Sequence, residues 1–308
     1  MDKLHIETPI FESYTLNNKL GKRIFFKMDC FQPSGSFKIR GIGNLCQTQA
    51  ALGAKHFVAA SGGNAGCAAA YAGRQLGVPT TVVVPETTSV AMQERIAAIG
   101  ATVKVFGKVW DDSDVYARSL AKKDGAVYIP PFDSPSIWEG NASIIDEANN
   151  NMHEPDAVIV SVGGGGLLCG VMEGLERNDW KNATVFTTET KGAASYAAAV
   201  EAKELVRLDA IASIASSLGA KQVCSAALDW SFQRDIQPLI VSDVATLEAC
   251  QWFLDEFGIL VEPACGAALS AVYHEHESIA NAQTVLVVVC GGRGMTLDKF
   301  NNYCEQLL

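Results

Sequence analysis

Val158-Ile159-Val160-Ser161-Val162-Gly163-Gly164-Gly165-Gly166-Leu167 runs from an apolar segment through four consecutive glycines into an amphipathic stretch that continues to Glu176. A short β-branched run without polar alternation suits a strand covered on both faces, and such strands belong to parallel sheets. Four glycines cost roughly 0.5–1 kcal/mol each in chain entropy relative to alanine, so a structural role alone has several kcal/mol to offset. A turn whose backbone amides converge on an anion at the start of a helix supplies that offset, and phosphate suits it. The turn is no nucleotide P-loop, because Gly165 and Gly170 have the spacing but Val171 follows instead of lysine. It is also no dinucleotide fingerprint, since Leu168 or Cys169 falls where the third glycine belongs.

Outward from this turn the same strand-then-helix rhythm covers almost the whole chain. Strands are predicted at 23–28, 56–59, 80–84, 102–106, 127–129, 157–162, 183–188, 237–241 and 284–289. Helical patterns fall at 37–52, 65–76, 90–99, 113–122, 138–150, 167–176, 244–257 and 264–274, with Gly53, Gly77 and Gly100 at helix ends that need positive φ. The alternation defines an α/β protein, and 308 residues with 48% hydrophobic content fit two lobes, each an open, mostly parallel sheet covered by helices. The turn Ile129-Pro130-Pro131-Phe132 is the best candidate for a crossing between them.

The charge balance narrows the partners. A net charge of -10 with no basic run argues against nucleic acid. No uninterrupted apolar stretch reaches eighteen residues and the first residues lack a signal pattern, so neither a membrane span nor export is expected, and the cytoplasm is the expected compartment. Nine scattered cysteines with no Cys-x-x-Cys pair read as reduced thiols. His274 and His276 are spaced for different helix faces, and no zinc or nucleophile-elbow motif occurs.

Three more segments carry unusual residues. Ser61-Gly62-Gly63-Asn64-Ala65-Gly66 follows a strand and opens a helix; its amides can cradle a carboxylate with Asn64 as a further donor, or the glycines can serve close packing. Cys290-Gly291-Gly292-Arg293-Gly294 ends the most apolar strand, where a cysteine is commonly an inert small hydrophobe. In Pro33-Ser34-Gly35-Ser36-Phe37-Lys38-Ile39-Arg40-Gly41, Ser34 or Ser36 is placed to cap a helix that Lys38 enters. A lysine in a first turn opposes the helix dipole, and its apolar neighbours suggest partial burial, which favours the neutral, nucleophilic amine over a solvated surface role.

Taken together these segments resemble the fold-type II pyridoxal-phosphate enzymes, tryptophan synthase β-like in fold, and within them the serine/threonine dehydratases of liver type, over nearly the whole chain. The resemblance implies a small domain inserted at residues 33–134 between parts of a large domain, 1–32 and 135–308. It makes Lys38 the catalytic residue that carries pyridoxal phosphate as a Schiff base, with Phe37 against the ring, Asn64 at the 3′-oxygen, Gly163, Gly164, Gly165, Gly166 and Leu167 around the phosphate, and Cys290 facing the pyridine nitrogen. Ser61, Gly62, Asn64 and Ala65 match the loop for the substrate carboxylate. Glu189, with the carbonyls of Ala193, Leu218 and Ala220, matches the segments that hold a monovalent cation, expected to be potassium. The implied reaction is β-elimination, with loss of water and then ammonia, from L-serine to pyruvate and from L-threonine to 2-oxobutyrate. The family is commonly homodimeric. Alternatives are a serine racemase with eliminase activity, against which Cys290 speaks, and a non-catalytic cofactor- or amino-acid-binding protein. Liver-type dehydratases can carry alanine at the place of Gly62, so glycine here is expected to enlarge and loosen the carboxylate loop.

Overall fold

The structure is a computed structural model that describes residues 2–308. In chain order its elements are β1 (Ile10–Glu12), α1 (Tyr14–Leu20), β2 (Arg23–Lys27), α2 (Lys38–Ala51), β3 (His56–Ala60), α3 (Asn64–Leu76), β4 (Thr80–Val84), α4 (Val90–Ile99), β5 (Thr102–Val105), α5 (Trp110–Leu120) and β6 (Ala126–Ile129). They continue with α6 (Pro135–Asn149), β7 (Ala157–Ser161), α7 (Gly166–Arg177), β8 (Thr184–Thr190), α8 (Ser195–Ala202), α9 (Ser225–Gln233), β9 (Ile236–Val241), α10 (Asp243–Phe257), α11 (Pro263–Tyr273), β10 (Thr284–Val288) and α12 (Leu297–Leu307). The chain divides into two compact units: residues 1–6 with 32–141, and residues 7–31 with 142–308. The second division falls inside α6.

The first unit holds a four-stranded, all-parallel sheet in the order β5-β4-β3-β6. Strand β4 is buried along its whole length, which is why its sequence TTVVV shows no alternation. Helices α2 and α3 pack on one side through Ile39, Ile42, Leu45, Ala65, Ala68, Ala69 and Ala72. Alanines dominate this face of α3, so the helices approach closely. Gly41 takes this further, because a Cβ there would lie 2.4 Å from the backbone oxygen of Ile137 in the first turns of α6. A Cβ on Gly140 would meet the oxygen of Arg40 at the same 2.4 Å. Backbone contact between α2 and α6 thus fixes the helix that begins with Lys38.

The second unit holds a six-stranded sheet in the order β1-β2-β10-β7-β8-β9, parallel except for β1. Strand β7 is buried throughout and sits centrally. A polar network is enclosed beside β2. Lys27 is fully buried; its Nζ lies 2.6 Å from Glu147 Oε2 and donates to the carbonyl of Thr8 at 2.6 Å. The Thr8 hydroxyl donates to Asp29 at 2.7 Å. All nine cysteines are free thiols, as their scatter suggests. Among the described residues no helix is long and apolar enough to cross a membrane.

Candidate active site

In the first unit the sequence-selected residues gather at the carboxyl end of the sheet. Lys38 opens α2, is half-buried, and its Nζ donates to the carbonyl of Pro131 at 2.7 Å. The ammonium also stands 5.0 Å from the buried Phe37 ring and 5.9 Å from that of Phe132. Strand β3 pairs Ala59 with Ile129, so the same register continued by two residues sets Ser61 beside Pro131. Lys38 and the Ser61 turn therefore share one corner. Neither Ser34 nor Ser36 caps α2, contrary to the sequence reading: Phe37 already has helical φ and ψ, which leaves no side chain at the cap position to reach the helix amides. Ser34 Oγ instead contacts the Ser36 carbonyl at 3.4 Å, and Ser36 Oγ is buried with no hydrogen-bond partner.

The Ser61–Ala65 turn is formed by Ser61 Oγ accepting from the Gly63 amide at 3.2 Å, and α3 starts at Asn64 with no side chain on its cap residue, Gly63. A helix that begins with bare backbone offers its first amides and its positive dipole end to an acceptor. Ala65 is buried beneath it, and a Cβ on Gly66 would lie 2.2 Å from the Ser61 carbonyl, so close packing and an amide-lined turn coexist here. Gly62 does not leave open space as expected. A Cβ there would fall 2.3 Å from Thr88 Oγ1, so the Thr88 side chain fills the volume the missing methyl vacates.

In the second unit the register again brings the selected residues together. β10 pairs Val287 with Ile159, and β7 pairs Ser161 with Thr188. Continued to the strand ends, these registers place Cys290, Val162 and Glu189 in one row, beside the glycine turn. Gly165 has φ +93°, and a Cβ on it would lie 2.6 Å from Ala227 Cβ. A Cβ on Gly163 would lie 3.1 Å from Leu218 Cα, and the Gly164 carbonyl accepts from the Cys224 amide at 3.0 Å. The turn is thus gripped from behind by the 217–218 and 224–227 segments. Gly163 and Gly164 stay half-exposed, and α7 starts without a side-chain cap while Leu167 is buried. At Gly165 only glycine fits, and the turn brings its backbone amides to a helix N-terminus. Gly165→Ala is expected to strain the backbone by about 1–3 kcal/mol and to weaken retention of a phosphate-bearing cofactor, which a fluorescence titration of the apoprotein with pyridoxal phosphate measures.

Cys290 is 3% exposed, and its Sγ lies 3.3 Å from that of Cys265 on α11. Cys265 Sγ also contacts the Gly291 carbonyl at 2.8 Å and accepts from the Gly291 amide at 3.0 Å. Burial pushes the Cys265 thiol well above the ordinary range, so it stays protonated. Nothing in the spacing of α11 and β10 along the chain signals this partner. Glu189 is buried, and its two oxygens accept from the amides of Tyr196 at 2.8 Å and Ala197 at 2.7 Å, at the start of α8. Burial raises its pKa to about 7, with those amides working the other way. Leu218 O accepts from the Ala220 amide at 2.8 Å, the Ala193 amide donates to Thr190 O at 2.8 Å, and Ala193 is fully buried. Among the described residues no cluster of three or more His, Cys, Asp and Glu side chains is placed to hold a metal ion.

The parallel sheet of the first unit thus carries an amine and a glycine turn at its carboxyl end, and the largely parallel sheet of the second carries a tetraglycine turn beside a buried thiol. The chain belongs to the pyridoxal-phosphate dependent enzyme family, whose model matches residues 1–291. A human protein named L-serine dehydratase/L-threonine deaminase is 48% identical over 316 aligned positions, covering 99% of this chain and 96% of that one. The crystal structure of a fungal L-serine ammonia-lyase from Rhizomucor miehei superposes with a TM-score of 0.95 at 35% identity, covering 100% of both chains. The structure of maize serine racemase gives a TM-score of 0.88 at 25% identity, covering 98% of this chain and 92% of that one.

Proposed function

We propose that this protein catalyses the β-elimination of L-serine to pyruvate and ammonia, and of L-threonine to 2-oxobutyrate and ammonia. The observation that carries the proposal is the pairing of the tetraglycine turn Gly163–Gly166, in which Gly165 has φ +93° and no room for a Cβ, with a thiol, Cys290, rather than a carboxylate at the end of the neighbouring strand. The names of the human and fungal relatives support the same substrates. The residues present fit pyridoxal phosphate: the tetraglycine turn and the start of α7 would take its phosphate, Lys38 would hold it through Nζ, Phe37 and Asn64 would flank it, and Cys290 would face its ring nitrogen. When bound, the cofactor supplies an electron sink for the negative charge left at the substrate α-carbon.

The rest falls to the chain. The Ser61–Ala65 turn orients the substrate by its carboxylate. Lys38 Nζ takes the α-proton, and with the amine released from the Pro131 carbonyl the same group can return a proton later. Where a carboxylate would hold a proton on the ring nitrogen, Cys290 places a thiol, which disfavours a long-lived carbanion and favours prompt loss of the β-hydroxyl as water. The released enamine takes a proton at its β-carbon to become an imine, water adds to the imine carbon, and ammonia leaves to give the keto acid. Glu189 with the carbonyls of Ala193, Leu218 and Ala220 would hold potassium, and a raised carboxyl pKa is what a nearby cation would relieve. The family resemblance further supports a homodimer.

The maize neighbour keeps serine racemisation as the second reading. A coupled keto-acid assay decides. Pyruvate from L-serine, faster with potassium than with sodium, is expected; interconversion of L- and D-serine without keto acid would replace the proposal with racemisation, and neither product would point to a binding protein.

A further inference from the structure

Thr88 follows β4 in the turn that leads to α4, and its backbone is held at both ends. Its amide donates to the Pro85 carbonyl at 3.0 Å, and its own carbonyl accepts from Gln93 Nε2 at 2.8 Å. The half-buried side chain presses on Gly62, where a Cβ would lie 2.3 Å from Oγ1, 2.8 Å from Cγ2 and 3.1 Å from Cβ of Thr88. The adjacent Gly63 is different, since a Cβ there meets nothing within 4 Å. The three atoms nearest to a Cβ at position 62 therefore all belong to one side chain.

We infer that Thr88 is a positioning residue for the Ser61–Ala65 turn, and that positions 62 and 88 form a coupled size pair that sets how the turn receives an amino-acid carboxylate. The inference rests on the proposed role of that turn. Thr88 supplies by packing what an alanine methyl at 62 would supply from within the turn, so either residue can carry the bulk but not both.

Four holoproteins test it: the parent, Gly62→Ala, Thr88→Ala, and the double variant. Each is titrated with glycine, an amino acid with no leaving group, by the cofactor's absorbance, and assayed for KM and kcat with L-serine. Gly62→Ala drives a methyl into Thr88 and shifts the turn, so glycine affinity falls on the order of tenfold to a hundredfold, with KM rising in step. Thr88→Ala empties the space and weakens binding by about tenfold, mainly in KM. The double variant, whose alanine methyls can adjust to each other, returns to within about threefold of the parent, a non-additivity expected only of residues in contact. Thr88→Val, which keeps the shape and loses the hydroxyl, stays close to the parent. Additive losses, or Gly62→Ala binding glycine normally, would overturn the inference, and so would Thr88→Val behaving as Thr88→Ala. Variants that melt lower but bind normally would show a structural role alone and also overturn it. The glycine titration needs no elimination, so a parent that forms no keto acid yet shows the coupling would sink the proposed reaction and leave the pair standing.

Discussion

Lys38→Ala forms no pyruvate from L-serine above background, a loss of at least about 10³-fold, the range expected when the group that moves the proton is removed. The cofactor is also lost on gel filtration, since without the covalent link only the non-covalent contacts of the tetraglycine turn, Phe37, Asn64 and Cys290 would hold it. The fold survives, because Lys38 is half-buried at the very start of α2, where its Nζ donates to the Pro131 carbonyl at 2.7 Å. Losing that bond at a partly solvated site costs about 0.5–1.5 kcal/mol. Lys38→Arg gives the same loss, because a guanidinium keeps the charge but provides no free amine. Residual turnover near the parent rate in either variant would move the proton transfer to another group. Circular dichroism of both variants separates loss of chemistry from loss of structure.

Lys27→Met lowers stability by about 3–5 kcal/mol, the cost of stranding one member of a buried ion pair, and the melting temperature falls on the order of 10 °C. The substitution leaves Glu147 enclosed without its cation and removes the donor to the Thr8 carbonyl. Glu147 also accepts from the Thr8 amide at 3.3 Å, so the 7–12 segment is tied to both partners. Combining Lys27→Met with Glu147→Leu recovers much of the loss, because apolar replacement of both charges removes the stranded ion. It does not recover all of it, since Thr8 keeps buried backbone groups without those partners. Differential scanning calorimetry of the three variants checks the order, and equal melting of parent and Lys27→Met would show that water reaches the pair.

Most of the sheet architecture was legible from the sequence because its central strands are covered on both faces. β4 and β7 read as runs without polar alternation for that reason, and Gly53, Gly77 and Gly100 read as helix ends that indeed take positive φ. Several of the elements that escaped are short or carry little pattern. β1 has three residues, each half-buried, and α8 spans eight residues. α9 starts after Cys224 with no side-chain cap to announce it. At the site, the turns were legible because glycine at a strand end has few other uses. Their supports were not: Cys265 meets Cys290 through the packing of α11, and Thr88 meets Gly62 across two strand ends. No local period or spacing encodes such contacts. The capping role of Ser34 or Ser36 failed for a related reason, since the chain is already helical at Phe37.

The position of β2 has a consequence for how the molecule is made. Thr284 pairs with Arg23 and Val288 with Lys27, so the inner partner of β2 leaves the ribosome about 260 residues after it. At roughly 5–20 residues per second that is a delay of about 13–50 s. Strands β3, β4, β5 and β6 lie consecutively within residues 56–129, so their sheet can be complete while β2 has only β1 beside it. During biosynthesis the apolar stretch Ile24-Phe25-Phe26 is therefore a long-lived unpaired edge, and nascent-chain capture by chaperones should concentrate there, easing when β10 emerges.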